Sequence, residues 1–248
     1  HHHFVHFARI FMLLLFLTVW ELFADFHIID SFFFSSPSRV VACFVRMVSE
    51  RSLFTHIGIT LTETVISFFL VALVSLSTAT LLWYSRRLSE ILEPFLVVLN
   101  SLPKSALAPL LIVWLGTGMD TIIAAGISVA IFGAIINLYT GFLQADPEKL
   151  LLIRTLGGTR RDCFFKVVLP ASIPVILSNM KVNIGLSLVG VVIGEFLAAR
   201  RGLGYLIIYG SQVLQLDMLI TSILLLCIIA MGLYQLLQFA EHCYKKKV

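Results

Sequence analysis

Apolar runs long enough to cross the hydrocarbon core of a bilayer recur along this chain. A transmembrane helix needs about 20 predominantly apolar residues. Six runs of that order occur, at 7–24, 57–84, 95–115, 121–143, 173–197 and 218–240. The fourth and sixth contain no charged residue. Because lipid offers no hydrogen-bond partners to backbone amides, such runs must fold as helices. The pattern therefore predicts an all-α membrane protein with six transmembrane helices.

Composition supports the membrane assignment. The chain is 59% hydrophobic and 13% charged, with a mean hydropathy of +0.99. A soluble domain of 248 residues could not bury that much apolar surface. The three histidines at positions 1–3 are typical of a purification-tag remnant. We therefore expect a single transmembrane domain at 4–248.

Lys and Arg are unevenly divided between the two sets of predicted loops. One set carries eleven of them, including Arg86, Arg87, the cluster at 149–166 and Lys245 to Lys247, whereas the other carries five. By the positive-inside rule, both termini and the loop between the fourth and fifth spans are cytoplasmic. This predicts a multi-pass protein of the cytoplasmic (inner) membrane.

The basic balance does not indicate nucleic-acid binding. The net charge of +4 comes from short clusters between apolar runs, as expected for topology signals. The four cysteines, Cys43, Cys163, Cys227 and Cys243, have no Cys/His spacing suited to zinc, and no metal site is predicted.

The loop at 146–170 is too organised to be a simple connector. Asp146 can cap a helix that starts at Pro147, with Glu148 favourable near the positive end of the helix dipole. Gly157 and Gly158 can end that helix. The predicted structure begins as a short helix that stops at a glycine corner.

The second half of the loop predicts another short helix. Thr159 is placed to cap it, and Asp162 stands at the capping-box spacing. We expect this helix to end near Val168, delimited by Pro170 and Pro174. On the opposite side of the membrane, Ser35 to Ser38 predict a turn and N-cap before a short amphipathic helix within 25–56.

Residues of the loop resemble a known family, the permeases of binding-protein-dependent ABC importers, in the branch that serves nitrate, sulfonates, taurine and thiamine precursors. Gly157, Val167, Leu169 and Pro170 fall at the spacing of the family's loop motif. The Glu-Ala-Ala positions of that motif hold Leu151, Leu152 and Ile153 instead. Further resemblance lies at 103–118 and 191–207. Glu63, the Pro103-Lys104 pair and Gly194-Glu195-Phe196 resemble the thiamine-precursor or riboflavin members.

The resemblance implies a permease subunit and not an enzyme. Its partners would be ABC ATPase subunits, an extracytoplasmic substrate-binding protein and a second permease. The two permeases would form a homodimer or a heterodimer, and we expect the homodimer. The sequence itself contains no GxxxxGK[ST] phosphate-binding loop. ATP and Mg would thus be bound by the ATPase partner, and we expect no cofactor in this chain. Transport would proceed by alternating access.

The resemblance also assigns candidate residues within the loop. Candidates for coupling to the ATPase are Asp146, Glu148, Arg154, Gly157, Thr159, Arg160 and Arg161. The arginines have a second interpretation, because basic cytoplasmic residues also set orientation and bind anionic lipids.

Polar side chains within the apolar runs are candidates for the solute path. They are Asn100, Lys104, Asn137, Lys181, Asn183 and Glu195. A charge at the bilayer centre costs about 2.5–3.5 kcal/mol or more unless it is paired or wetted. The alternative is therefore interhelical pairing, for example Glu63 with Lys104. The third span contains three prolines, Pro94, Pro103 and Pro109. They indicate either a broken helix that lines a transport site or simple kinks.

Two other classes of membrane protein compete with this interpretation. A stand-alone secondary transporter or channel would also use charged residues within spans. An intramembrane serine protease would need a base beside Ser128 or Ser187, and the one histidine downstream of either serine is His242, at the cytoplasmic end. The protease is therefore disfavoured, whereas the secondary transporter differs from the permease in needing no ATPase.

Overall fold

The computed structural model of this chain describes residues 2–247, so the predicted tag remnant lies partly outside the described residues. Within that range the chain forms helices and no strand. The α-helices are α1 His2–Asp25, α2 Ser31–Phe34, α3 Pro37–Ser49, α4 Ser52–Tyr84, α5 Arg86–Ser101, α6 Leu107–Leu115, α7 Met119–Leu143, α8 Pro147–Thr155, α9 Arg160–Cys163, α10 Leu169–Ala198, α11 Leu203–Gln212 and α12 Leu216–Lys247. A 3₁₀ turn covers Lys104–Ala106, and a π-helical turn covers Phe164–Val168.

The predicted all-α membrane fold is confirmed. Among the described residues, five helices are long and apolar enough to cross a membrane: α1, α4, α7, α12 and the continuous helix Arg160–Ala198. A sixth span results if the bent pair Arg86–Ser101 and Lys104–Leu115 is counted as one. These elements contain the six apolar runs found in the sequence.

The third span differs from a regular helix, because its two halves meet at 83°. The break falls at Leu102 and Pro103, whose backbone is extended. A proline disfavours helical backbone in the residue before it, which ends α5 at that point. Pro94 and Pro109 lie inside α5 and α6. Of the three prolines, Pro103 therefore marks the break.

The chain divides into two compact units. The first comprises the described residues of 1–59 together with 201–228. In it, Ser36 caps α3 as the sequence predicted. Asp217 accepts a hydrogen bond from Ser35 (2.5 Å) and pairs with Arg39 (3.2 Å). Helix α11 lies where the sequence analysis predicted no helix.

The second unit comprises the described residues of 60–200 and 229–248. At its centre α7 packs against α10 with small residues at the contact. A Cβ added at Gly190 would lie 2.7 Å from the Ala125 carbonyl oxygen, and one at Gly194 would lie 3.0 Å from Ile122 Cα. Small residues allow this close approach of two helix backbones in lipid. The resulting core positions the loop at 146–170 and the polar side chains of the spans.

Candidate functional site

Residues 146–170, here called the corner segment, form the helix, glycine corner and second helix that the sequence predicted. Asp146 caps α8, its carboxylate accepting the Glu148 amide hydrogen bond at 2.9 Å. Pro147 occupies the first turn, where a missing N–H costs nothing. The cap satisfies an amide that the helix itself leaves unbonded.

The glycine corner is a Schellman turn that depends on two glycines for different reasons. The Gly157 amide bonds to the Arg154 carbonyl and the Gly158 amide to the Ile153 carbonyl. Gly157 has φ +82, in the left-handed region that side chains other than glycine rarely adopt. A Cβ at Gly158 would lie 2.8 Å from the Ile153 carbonyl oxygen. Gly157 is therefore required for its backbone conformation, and Gly158 is required because a side chain there would clash.

Thr159 and Asp162 form the predicted capping box at the start of α9. The Asp162 carboxylate accepts hydrogen bonds from the Thr159 amide (2.8 Å) and hydroxyl (2.7 Å). Those hydrogen bonds, with Lys166 alongside, lower the pKa of Asp162 to about 2. The carboxylate is therefore ionised at neutral pH and holds the second half of the corner in place.

The predicted end of the second helix near Val168 is wrong. The helix continues from Arg160 to Ala198, with a π-helical turn at Phe164–Val168. Pro170 lacks an N–H and its ring would clash with the carbonyl four residues earlier. The wider π turn places this mismatch before Pro170 and lets the helix continue. The corner segment is thus joined directly to a membrane-spanning helix.

An aromatic cluster anchors the corner segment to α4 and α7. The buried Phe164 ring has four neighbouring rings with centroids 5.3–5.6 Å away, those of Trp83, Tyr84, Phe142 and Phe165. Arg160 adds to this contact, since its guanidinium lies 5.5 Å from the Trp83 ring centroid and donates to the Trp83 carbonyl at 3.2 Å. A cation is favourable at the end of α4, where carbonyls lack helical partners.

The opposite side of the corner segment exposes an apolar surface, the leucine ridge, formed by Leu151, Leu152 and Leu156. These side chains are 65%, 57% and 75% exposed. Leu151 and Leu152 occupy the first two Glu-Ala-Ala positions, so the departure from the motif creates this surface. Exposed contiguous leucines outside a span are characteristic of a protein contact.

The structure divides the predicted coupling residues into two groups. Asp146, Gly157 and Thr159 shape the segment, and Arg160 is engaged with Trp83. Glu148, Arg154 and Arg161 have exposed side chains. Arg161 lies 5.7 Å from the Phe165 ring centroid. Sequence reasoning missed Trp83 and Phe164, because their proximity depends on contacts between distant parts of the chain.

Two predicted path residues bind neighbouring helices. The Asn137 amide donates to the Asn179 side-chain oxygen at 3.1 Å and joins α7 to α10. Lys181 pairs with Glu241 of α12 at 2.5 Å, and Lys245 pairs with the same carboxylate at 2.7 Å. Both observations favour the alternative of interhelical pairing.

The remaining path candidates differ in burial. Asn183 and Glu195 are buried, whereas Asn100 is exposed and Lys104 is half-buried. Lys104 donates to the Asn100 carbonyl oxygen. Glu195 accepts from the Thr60 hydroxyl at 2.8 Å. No ion pair joins Glu63 to Lys104 among the described residues, so the pairing considered from the sequence is not formed.

Comparison with known proteins identifies relatives that match most of this chain. Residues 71–240 match the family described as "Binding-protein-dependent transport system inner membrane component". A "Probable ABC transporter permease protein" of Haemophilus influenzae is 30% identical over 226 residues, covering 91% of each chain. The "Formylaminopyrimidine transport permease protein ThiX" of Halalkalibacterium halodurans is 28% identical, covering 77% of this chain and 76% of that protein.

A solved structure shows the same fold at lower sequence identity. A chain from the MetNI methionine ABC transporter, in inward-facing conformations, superposes with a TM-score of 0.66 at 20% identity. The match covers 79% of the present chain and 95% of the other.

Proposed function

This chain belongs to the family of binding-protein-dependent transport system inner membrane components, and on that premise we propose that it imports a vitamin-precursor-like heterocycle, using force received through the corner segment. It is a permease subunit of an ABC importer for small solutes and not an enzyme. The single observation that carries the proposed mechanism is the two-sided corner segment. One side is anchored in the span core by Phe164, and the other exposes the leucine ridge.

We infer that the leucine ridge inserts into an apolar groove of the ATPase. Burying a leucine side chain stabilises a contact by about 1.5–3 kcal/mol. Arg154 and Arg161 would contribute charge contacts at its edge. Because the helix from Arg160 runs unbroken into α10, a displacement of the ridge would move a span directly. This supports alternating access between inward- and outward-facing states.

The family's description makes this transport dependent on a binding protein, and an ABC system supplies ATPase subunits that hold ATP and Mg. We propose a homodimer of this chain, because one copy offers a single corner segment and an ABC ATPase works as a dimer. The corner segment and both termini would face the cytoplasm, and the protein would lie in the inner membrane, as the distribution of Lys and Arg predicts.

The proposed solute class rests on the formylaminopyrimidine permease among the relatives. In the path, Asn100 and Lys104 are the best candidates to meet the solute, because both border the break at Pro103. The other four candidates would hold together the helices that surround the path; they are Asn137, Lys181, Asn183 and Glu195.

Uptake by reconstituted liposomes tests the importer proposal. Liposomes would carry this chain alone or with its ABC ATPase subunits, and the binding protein would be loaded with labelled aminopyrimidine or alkylsulfonate. We expect uptake of the aminopyrimidine with the ATPase and ATP, and none with the chain alone. Uptake without an ATPase would identify a secondary transporter. ATP-driven uptake of the sulfonate alone would leave the importer intact and overturn the proposed solute class.

A further inference from the structure

A cavity of about 350 Å³, here called the outer cavity, lies within the first unit. Its walls come from α3, the turn into α4, α11 and the start of α12. The volume far exceeds the about 10–15 Å³ that one water requires. The distribution of Lys and Arg predicts that the turns beside it, from α3 to α4 and from α11 to α12, lie on the outer side of the membrane.

Two charged side chains line the outer cavity, and neither forms an ion pair among the described residues. They are Arg46 and Glu50, and both are exposed. The Arg46 guanidinium donates to the Cys43 sulfur at 3.7 Å, and sulfur is a weak acceptor. Arg51 follows Glu50 in the chain, so this end of α3 carries two cations and one carboxylate. The resulting net positive charge is complementary to an acidic partner.

The two turns beside the outer cavity each hold a large residue in left-handed backbone. Arg51 has φ +57 and stands between Glu50 and Ser52, which line the cavity. Leu214 also has φ +57 and precedes Gln215, which lines it from the other turn. Glycine is the usual residue where a helix ends in this conformation, because other residues are strained there. Strain that a fold retains points to a use for the side chain.

Apolar side chains at the second turn are exposed. Leu214 is 51% exposed and its neighbour Val213 is 42% exposed. Both belong to the turn between α11 and α12, outside the membrane-spanning helices. An exposed apolar pair at such a place is characteristic of a protein contact. Met47 and Met218 line the cavity beside it, and their flexible side chains can adapt to an inserted partner.

We propose that the outer cavity is the place where the binding protein docks. An acidic side chain of that protein enters the cavity and pairs with Arg46, while an apolar residue beside it packs on Leu214. This inference rests on the proposed importer function and specifies which surface the outer partner uses. Glycine at position 214 would keep the backbone of the turn and remove the contact.

The affinity of the assembled transporter for its binding protein, measured in lipid nanodiscs, tests this docking surface. We expect Arg46→Gln and Leu214→Gly each to raise the Kd at least about tenfold, because each removes a central contact. Affinity in the parent should fall as ionic strength rises, and it should fall less steeply in Arg46→Gln. Unchanged affinity in both variants would overturn the proposal.

His27 provides a matched control in the same unit. It follows the end of α1 with φ +54, is exposed and does not line the outer cavity. His27→Gly should leave the Kd unchanged within about twofold. Neither His27→Gly nor Leu214→Gly should lower the unfolding midpoint by more than about 2 °C, because glycine adopts left-handed backbone without strain. Equal losses of affinity in these two variants would show a general loosening of the turns, against docking at the cavity.

Uptake by the same variants separates this inference from the importer proposal. If parent uptake needs both the ATPase and the binding protein, and Arg46→Gln and Leu214→Gly need no more binding protein than the parent, the importer stands and the docking surface is wrong. Uptake without an ATPase would overturn the importer itself. Labelled solute that binds the transporter without the binding protein, and no longer binds Arg46→Gln, would make the cavity a solute site and contradict docking.

Discussion

Gly157 is the residue on which the corner segment turns. Its φ of +82 allows the Schellman hydrogen bonds that end α8. The space around it is open, since an added Cβ would meet nothing within 4 Å. The requirement for glycine is therefore conformational and not steric, and sequence reasoning could identify it from the glycine pair alone.

Alanine at position 157 should disturb the corner without creating a clash. We expect Gly157→Ala to cost about 1–2 kcal/mol, because an L-residue is strained in left-handed backbone, and to reduce ATP-driven uptake. Gly232→Ala in α12 is the matched control, since its Cβ would also meet nothing within 4 Å and helical alanine is favourable. Thermal unfolding and uptake would be measured together. Equal behaviour of the two variants would contradict the role given to Gly157.

The role inferred for Lys181 changes once its partner is known. In the sequence it is a lone cation in a span, whereas in the structure it pairs with Glu241. We expect Lys181→Gln to impair uptake by leaving Glu241 incompletely balanced, and the Lys181→Gln/Glu241→Gln double variant to recover part of the loss. Uptake assays of both singles and the double would decide. A double variant worse than either single would favour direct contact of Lys181 with solute.

At the level of elements, the apolar runs predicted the long helices because lipid permits little else. The capping residues Asp146, Thr159 and Asp162 predicted the corner segment because their hydrogen bonds are local in sequence. Two features of these elements depend on tertiary geometry. The prolines left open whether the third span is broken or only kinked, and the structure shows a break of 83° at Leu102 and Pro103. The predicted end of the second loop helix was wrong, because a π turn carries that helix past Pro170.

Contacts between residues far apart in the chain could likewise not be predicted from the sequence. Thr60 donates to Glu195, 135 positions away, and Lys104, which was considered as a partner of Glu63, donates to the Asn100 carbonyl. Arg160 was considered for the ATPase and contacts Trp83 of α4. A single sequence carries helical periodicity but does not specify which faces of distant helices meet.

Phe164 connects the corner segment to the spans α4 and α7. Phe164→Ala should cost about 3–5 kcal/mol, since it removes a buried ring with four aromatic neighbours, and should abolish most ATP-driven uptake. Phe165→Ala is the adjacent control, because that ring is 52% exposed and its loss should cost much less. Unfolding midpoints and uptake would be compared in both. A smaller effect of Phe164→Ala than of Phe165→Ala would refute the anchor.

For the whole molecule, the corner segment is the proposed site at which an external ATPase acts on the spans. In the proposed mechanism the leucine ridge would provide the contact, the aromatic cluster would transmit the displacement to α4 and α7, and the continuous helix would carry it into α10. The proposed homodimer would supply two such segments, one for each ATPase subunit.

Site-specific crosslinking of the assembled transporter tests this claim most directly. Leu152→Cys would be placed in a background in which exposed Cys227 and Cys243 are serine, since Cys43 and Cys163 are buried. With a short bifunctional reagent, we expect a crosslink from Cys introduced at Leu152 to the ATPase subunit. We expect none from Cys introduced at Ser49 of α3, which lies on the predicted opposite side of the membrane. A Leu152 variant that crosslinks to the binding protein, or never to the ATPase during turnover, would contradict it.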